Sequence, residues 1–157
     1  MTEGQSVTVL EREAIIRWLT SPPEGQARMT VGGGSLGSVP LSLDPSAAHP
    51  LATSPGELLA GAIGGSFAFF VAEELAKEGV HARELSAHVT LTVSDNGSGV
   101  KQLALSGVAC RLLGRVPQID QERFDAAAAA AMRSCLKTLC LRTEVLMVTV
   151  EAVLESA

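Results

Sequence analysis

The sequence lacks the features that mark several classes of protein. It has only three cysteines, Cys110, Cys135 and Cys140, and no Cys-x-x-Cys pair, which argues against a disulfide scaffold or a zinc site and favours reduced thiols. Its 12 basic and 17 acidic residues give a net charge of -5, and no basic stripe points to a nucleic acid or an anionic membrane as a partner. The first residues show no basic region followed by an apolar core, so we expect no secretory signal and a cytoplasmic location.

Long apolar runs are also missing. The longest run covers residues 58–72, between Glu57 and Glu73, and is shorter than the roughly twenty residues that a membrane-spanning helix needs. We therefore expect this run to be buried in protein and not in a membrane. With 157 residues, of which 46% are hydrophobic, we predict a single domain over residues 1–157. The histidines and glycines form no metal-binding or phosphate-binding motif, so we expect no metal and no cofactor.

Strand patterns account for most of the remaining chain. Apolar and polar residues alternate in short segments that glycine and proline separate, which is typical of antiparallel strands. We predict a first hairpin from residues 7–19 and 26–31 with an edge strand at 39–43, a second hairpin from residues 84–93 and 100–113, and a final strand at 144–154.

The firmest local pattern is a helix that begins at Ser54. Ser54 and Glu57 form a capping box around Pro55, and Gly79 ends the helix. The middle of this helix is rich in glycine and alanine, although each interior glycine costs about 1 kcal/mol relative to alanine. We expect the close approach of another backbone to compensate for that loss.

A second helix is predicted to begin at Asp120 and to include the alanine run at 126–131. We expect the chain to bend near Ser134 or Cys135 and a further turn to end at Leu139. A helix N-terminus at that bend could lower the pKa of the Cys135 thiol. A cysteine among small residues is more often a packed hydrophobe.

Two ordered motifs stand out in the sequence. The first is Thr53-Ser54-Pro55-Gly56-Glu57-Leu58-Leu59 leading into Gly64-Gly65-Ser66-Phe67, and the second is Val116-Pro117-Gln118-Ile119-Asp120 leading to Phe124 and Cys135. Together they resemble the motifs of the OsmC/Ohr family of thiol-dependent hydroperoxide reductases. The resemblance covers roughly residues 26–154. It implies an α+β fold in which antiparallel sheets wrap around two central helices, and an intertwined homodimer associated with oxidative or osmotic stress.

The reactive positions of the family are altered in this chain. The resemblance places Ser66 at the position of the cysteine that attacks the peroxide and Cys135 at that of the resolving cysteine. It places Gly56 at the position of the active-site carboxylate, and a glycine at position 25 at that of the arginine. The nearest remaining candidates are Glu57, which is more simply a capping residue, and Arg28, which aligns better with a structural position. A serine hydroxyl cannot be oxidised to a sulfenic acid, so the family's usual cycle cannot start at Ser66.

Two functions are compatible with these residues. The first is a stress-associated homodimer with a degenerate peroxidase site, whose interface pocket binds a small apolar ligand or serves as a scaffold. The residues expected to line that pocket are Phe67, Phe69, Phe70 and Leu136. The second is an organic hydroperoxide reductase that attacks with Cys135 alone and is resolved by an external thiol.

Overall fold

The structure is a computed structural model that describes residues 12–18, 27–41, 52–95, 103–139, 141 and 146–155. The chain divides into two compact units at Pro55, and each unit is described by itself. The expected single domain over residues 1–157 stays a prediction.

The N-terminal unit contains a three-stranded antiparallel sheet in the order β1-β2-β3. Its strands are β1 (Ala14–Trp18), β2 (Ala27–Val31) and β3 (Val39–Leu41). Ala27, Met29 and Leu41 are buried on one face of the sheet, and the turn after β2 places Gly34 at a φ of 73°, a conformation that glycine adopts without strain. These strands confirm the predicted first hairpin and edge strand over the residues described. The predicted strand positions 7–11, 19, 26, 42 and 43 lie outside them.

The C-terminal unit packs two helices against a second three-stranded sheet in the order β4-β5-β6. Its elements are α1 (Pro55–Lys77), β4 (Glu84–Asp95), β5 (Leu103–Arg115), α2 (Gln121–Thr138) and β6 (Met147–Leu154). β4 and β5 pair antiparallel over their whole length, as predicted for the second hairpin. The α+β class with two helices and two sheets is therefore confirmed.

One strand pairing differs from the antiparallel arrangement that we expected. β6 pairs with β5 in parallel, with Gly107 opposite Met147 and Gly114 opposite Leu154. The reason is the crossover: α2 runs between the two strands and returns the chain to the starting end of β5. Alternating apolar residues identify β6 as a strand, but they carry no information about its direction.

Helix α1 is apolar on most of its surface. Its 23 residues are long and apolar enough to cross a membrane by length and composition alone. In the structure, 28% of its most apolar window is buried. Ile63, Phe67, Val71 and Leu75 recur at helical spacing and are each at most 1% exposed. These side chains belong to the same core as the sheet and α2, so α1 is a core helix. Gly79 follows it with a φ of 73°, which confirms the predicted helix end.

Helix α2 begins as predicted but is not bent. The Asp120 carboxylate accepts a hydrogen bond from the Arg123 backbone N–H at 2.8 Å, and the helix continues without interruption to Thr138, with Leu139 as its C-cap. The predicted bend near Ser134 or Cys135 is wrong. No glycine or proline occurs between residues 121 and 138, and Cys135 continues the helical series of buried positions, so packing favours a straight helix.

A close contact between Gly114 of β5 and Phe124 of α2 generates a stability prediction. A Cβ added at Gly114 would lie 2.9 Å from Cε2 of Phe124, whose side chain is fully buried. We expect Gly114→Ala to lower the free energy of unfolding by about 2 kcal/mol or more, because the ring has no free space to enter.

The matched control is Gly107→Ala on the same strand, where the added Cβ would meet its nearest atoms at 3.4 and 3.5 Å. Denaturant unfolding should give nearly native stability for this control. Equal stability of the two variants would contradict the packing described for Gly114.

Candidate functional site

The structure brings Ser66 and Cys135 together within one chain. Ser66 is half-buried on α1 beside the core positions Ile63 and Phe67, and Cys135 is completely buried on the inner face of α2. The Ser66 side chain lies close enough to the Cys135 thiol to lower its pKa. These two residues, drawn from the two motifs, are the centre of the candidate site.

Two residues of α1, Ile63 and Ser66, interact with the Cys135 thiol. Its Sγ donates a hydrogen bond to the backbone carbonyl of Ile63 at 3.6 Å. Burial raises the pKa of the Cys135 thiol, and the nearby Ser66 side chain only partly offsets that rise by favouring the thiolate. Within the described part of the chain, no charged group acts on this thiol, so the side chain is a neutral thiol at physiological pH.

The alternative in which a helix N-terminus lowers the Cys135 pKa is wrong, and Cys135 is instead packed in the core, as the favoured interpretation expected. Cys135 lies in the last turn of α2, and its backbone carbonyl accepts the N–H of the C-cap residue Leu139. The C-terminal end of a helix carries partial negative charge, which disfavours a thiolate. The error followed from the predicted bend, because only a new helix beginning near Ser134 would have supplied backbone N–H groups at this position.

Sequence reasoning missed the proximity of Cys110 to the site. Cys110 on β5 is 3% exposed and is a free thiol, like Cys135. Burial, together with the neighbouring Cys135, raises the pKa of Cys110 to about 11. Its place in the alternation of β5, between the buried Val108 and Leu112, is the signal that could have placed it facing the helices. Cys140 lies outside the described residues.

The candidates for the supporting charges are Glu57 of α1 and Arg28 of β2. Gly56 and Glu57 are both exposed in the first turn of α1, where a carboxylate stabilises the positive end of the helix dipole. In the N-terminal unit, Arg28 is exposed, and its Nη1 donates to the backbone oxygen of Ser38 at 3.0 Å and to the Ser38 Oγ at 3.1 Å. Position 25 lies outside the described residues.

A shallow groove of about 340 Å³ lies between α1 and β4, and its lining includes neither Ser66 nor Cys135. Its walls are the small residues Ala60, Gly61, Gly64, Gly65 and Ala68 of α1 with Ala87, His88 and Val89 of β4. The residues expected to line an interface pocket are divided. Phe67 and Leu136 are buried in the core, Phe70 is half-buried, and Phe69 is 60% exposed.

No cluster of three or more metal-ligating side chains occurs among the described residues. His81 and His88 are both exposed, and His49 lies outside the described ranges. The reactive groups at the candidate site are the buried thiols of Cys110 and Cys135 and the hydroxyl of Ser66.

Comparison with known proteins identifies relatives of this arrangement. The sequence model of the family described as OsmC-like protein matches residues 48–150, and no curated protein matches the sequence significantly. An OsmC-like protein of unknown function from Vibrio cholerae superposes with a TM-score of 0.72 at 14% identity, over 92% of this chain and 100% of that chain.

Two similar structures carry names that refer to hydroperoxides. The organic hydroperoxide resistance protein OhrB of Bacillus subtilis gives a TM-score of 0.71 at 16% identity, covering 92% of this chain and 98% of its own. A putative organic hydroperoxide resistance protein from Vibrio cholerae, with captopril bound in one of the active sites, gives 0.69 at 18% identity and covers 94% of each chain. At these identities, the similarity establishes the fold.

The raised thiol pKa values generate a prediction about stability and pH. Cys110 has a folded pKa of about 11 against an ordinary value of 9.0, so the unfolded chain loses its proton first as the pH rises. The stabilisation is fully present below pH 9 and is lost as the pH approaches 11. We expect the free energy of unfolding to fall by about 1–2 kcal/mol more in the native protein than in Cys110→Ala between about pH 8 and pH 10.5.

Denaturant unfolding at the two pH values checks this difference, and the sequence contains no tyrosine whose titration would overlap. A parallel decline in the native protein and in Cys110→Ala would show that the thiol is not desolvated in the folded state.

Proposed function

The chain belongs to the OsmC-like protein family, and we propose that it is a cytoplasmic, stress-associated homodimer whose degenerate peroxidase site is non-catalytic and is available to a small apolar ligand. We take residues 1–157 as one domain of this family in the proposal. The observation that carries it is the fully buried Cys135 thiol, which donates to the Ile63 carbonyl and has a serine, Ser66, as its neighbour at the attacking position.

The chemistry of peroxide reduction explains why this pairing is unsuited to it. A thiolate attacks the O–O bond of a hydroperoxide, which gives a sulfenic acid and an alcohol after proton transfer. A second thiol then displaces water from the sulfenic acid, and the resulting disulfide is reduced by an external dithiol. The oxygen of Ser66 cannot undergo the first step, and the pairing of Ser66 with Cys135 cannot form the disulfide.

The environment of Cys135 argues against its replacing the missing sulfur. Only the thiolate is a competent nucleophile, and a thiol with a pKa above 9 is less than about 1% ionised at pH 7. Burial raises the pKa of Cys135 above this ordinary value. Its side chain is completely inaccessible, so a hydroperoxide would also have to separate α1 from α2 to reach the sulfur.

The proposed ligand is small and apolar because the groove between α1 and β4 is small and is lined mostly by apolar residues. The groove walls are glycine, alanine and valine with His88, and the exposed ring of Phe69 adds apolar surface on the same helix. A relative of the same fold is described with captopril in one of its active sites, which supports the idea that this fold can hold a small organic molecule.

The homodimer is proposed from the surface of α1. A helix that is apolar all round is normally buried on all sides, yet most of the apolar window of α1 is exposed in the protomer. Gly61, Gly65 and Phe69 form one exposed stripe at helical spacing, and no other part of the described protomer lies within 4 Å of a Cβ built at Gly61 or Gly65. A second copy of α1 can approach closely there.

One observation favours the alternative of a hydroperoxide reductase that uses Cys135. The neighbouring Ser66 side chain lowers the pKa of the Cys135 thiol, which is the effect that an activating residue would have. Two similar structures are also named for organic hydroperoxide resistance. Burial has the larger effect on this pKa, and for this reason we favour the non-catalytic function.

Hydroperoxide consumption distinguishes the two functions. We expect the native protein with dithiothreitol to consume cumene hydroperoxide no faster than Cys135→Ala does, as measured by a ferrous-xylenol orange assay. Ser66→Cys should recover little turnover, because Gly56 leaves the position of the supporting carboxylate without a charge.

Ser66→Ala is the control for disturbing the site without adding sulfur. Rapid consumption by the native protein that disappears in Cys135→Ala would establish the alternative. Strong turnover by Ser66→Cys would show instead that a carboxylate and an arginine do reach the site.

The quaternary prediction is tested separately. We expect the native protein to have twice the chain mass in light scattering after size exclusion, and Phe69→Glu to be monomeric, because dimerisation would bury an unpaired charge. Thr149→Glu adds the same charge at an exposed position of β6 and should leave the dimer intact. A monomeric native protein, or a dimer that tolerates Phe69→Glu, would rule out the proposed α1 interface.

A further inference from the structure

Two arginines face each other on the exposed side of the N-terminal sheet. Arg17 of β1 and Arg28 of β2 are direct cross-strand partners, so their side chains leave the same face with Cβ atoms about 5 Å apart. The neighbouring pair, Ile15 and Thr30, shares this face two residues along the strands. The opposite face carries Ala27 and Met29, which are buried.

This arrangement has an electrostatic cost that nothing in the described part of the chain offsets. Like charges directly opposite each other destabilise a strand pair. Among the described residues, neither Arg17 nor Arg28 forms a salt bridge, whereas Arg111, Arg115 and Arg123 in the other unit each do. An anion bound between the two guanidinium groups would remove the repulsion and gain charge-assisted hydrogen bonds.

The two arginines line a cavity together with hydroxyl and apolar groups. Arg17, Arg28, Thr30, Ser38 and Ile15 enclose about 370 Å³. Ile15 is 56% exposed there, so its side chain forms an apolar wall beside the charges. The cavity therefore combines two fixed positive charges with one apolar surface.

Arg28 is held in place by the strained residue that it contacts. Ser38 has a φ of 55°, which is uncommon for any residue other than glycine. It is fixed by two hydrogen bonds from Arg28 Nη1 and by its own N–H, which donates to Thr30 Oγ1 at 3.3 Å. A guanidinium group has five N–H donors, so Arg28 retains donors for a ligand while Nη1 is anchored. Strained residues of this kind cluster at binding sites.

From this geometry we propose that the exposed face of the N-terminal sheet binds the oxyanion of a small organic acid, with Arg17 and Arg28 clamping the anion and Ile15 contacting its apolar body. The two guanidinium groups match the two oxygens of a carboxylate. A single arginine pair in a chain of net charge -5 does not form the extended basic stripe that a nucleic acid requires. This site contains neither Ser66 nor Cys135, so anion binding here is independent of the proposed function.

The test is a titration of the full-length protein with octanoate, acetate and inorganic phosphate at low salt, followed by the amide NMR signals of Thr30 and Ser38. We expect saturable shifts with octanoate and weaker binding of acetate and phosphate. Arg17→Gln should weaken octanoate binding by about fivefold or more, since it removes a charged hydrogen-bonding partner. Binding should also weaken when the ionic strength rises from about 0.01 M to about 0.15 M, because both arginines are exposed.

Two further variants make the result specific. Arg133→Gln removes an exposed positive charge from α2 and should leave the affinity unchanged. Ile15→Thr should weaken octanoate binding but not acetate binding. Circular dichroism establishes that each variant is folded. Linear shifts without saturation, equal losses in Arg17→Gln and Arg133→Gln, or binding of acetate or phosphate as tight as that of octanoate would each overturn the proposal.

Discussion

The contact between α1 and α2 fixes the chemical state of the Cys135 thiol. Cys135 Sγ donates to the carbonyl of Ile63, and its surroundings are the apolar core formed by both helices and the sheet. A helix carbonyl normally accepts from a backbone N–H, so this one receives an additional donor only while the sulfur keeps its proton. Thiolate formation would break that bond and place a charge in an apolar core. The same packing that stabilises the unit therefore keeps the thiol neutral.

The glycines of α1 serve two different contacts, although the sequence presents them as one small-residue segment. A Cβ at Gly64 would lie 3.2 Å from Cγ2 of Val89, so this glycine allows α1 to pack closely against β4 within one chain. Among the described residues, and apart from the neighbouring backbone of α1 itself, no atom lies within 4 Å of a Cβ built at Gly61 or Gly65. The expected compensation for glycine in a helix is thus found inside the protomer at Gly64, whereas at Gly61 and Gly65 it depends on the proposed second copy.

Local signals in the sequence predicted most of the helices and strands. The errors occurred where contacts between residues distant in sequence determine the direction or path of an element. Asp120 and Gly79 mark helix ends through bonds within a few residues, and both predictions are confirmed. The direction of β6 depends on the crossover through α2, and the straight path of α2 at Cys135 depends on a core built from three other elements. The alternating pattern of β1 and β2 likewise predicted the hairpin, but only the register shows that Arg17 faces Arg28.

The residues that the resemblance places at the reactive positions become physically consistent with the proposed function when they are considered together. In a peroxidase of this family, an arginine stabilises a thiolate and a carboxylate holds the arginine, so each charge depends on the others. A positive group near a neutral serine would lose the interaction that offsets its desolvation. Once oxygen stands at position 66, a glycine at position 56 removes a charge that no longer has a partner. On this argument, the proposed loss of catalysis needs one decisive substitution, and the other changes follow from its electrostatic consequences.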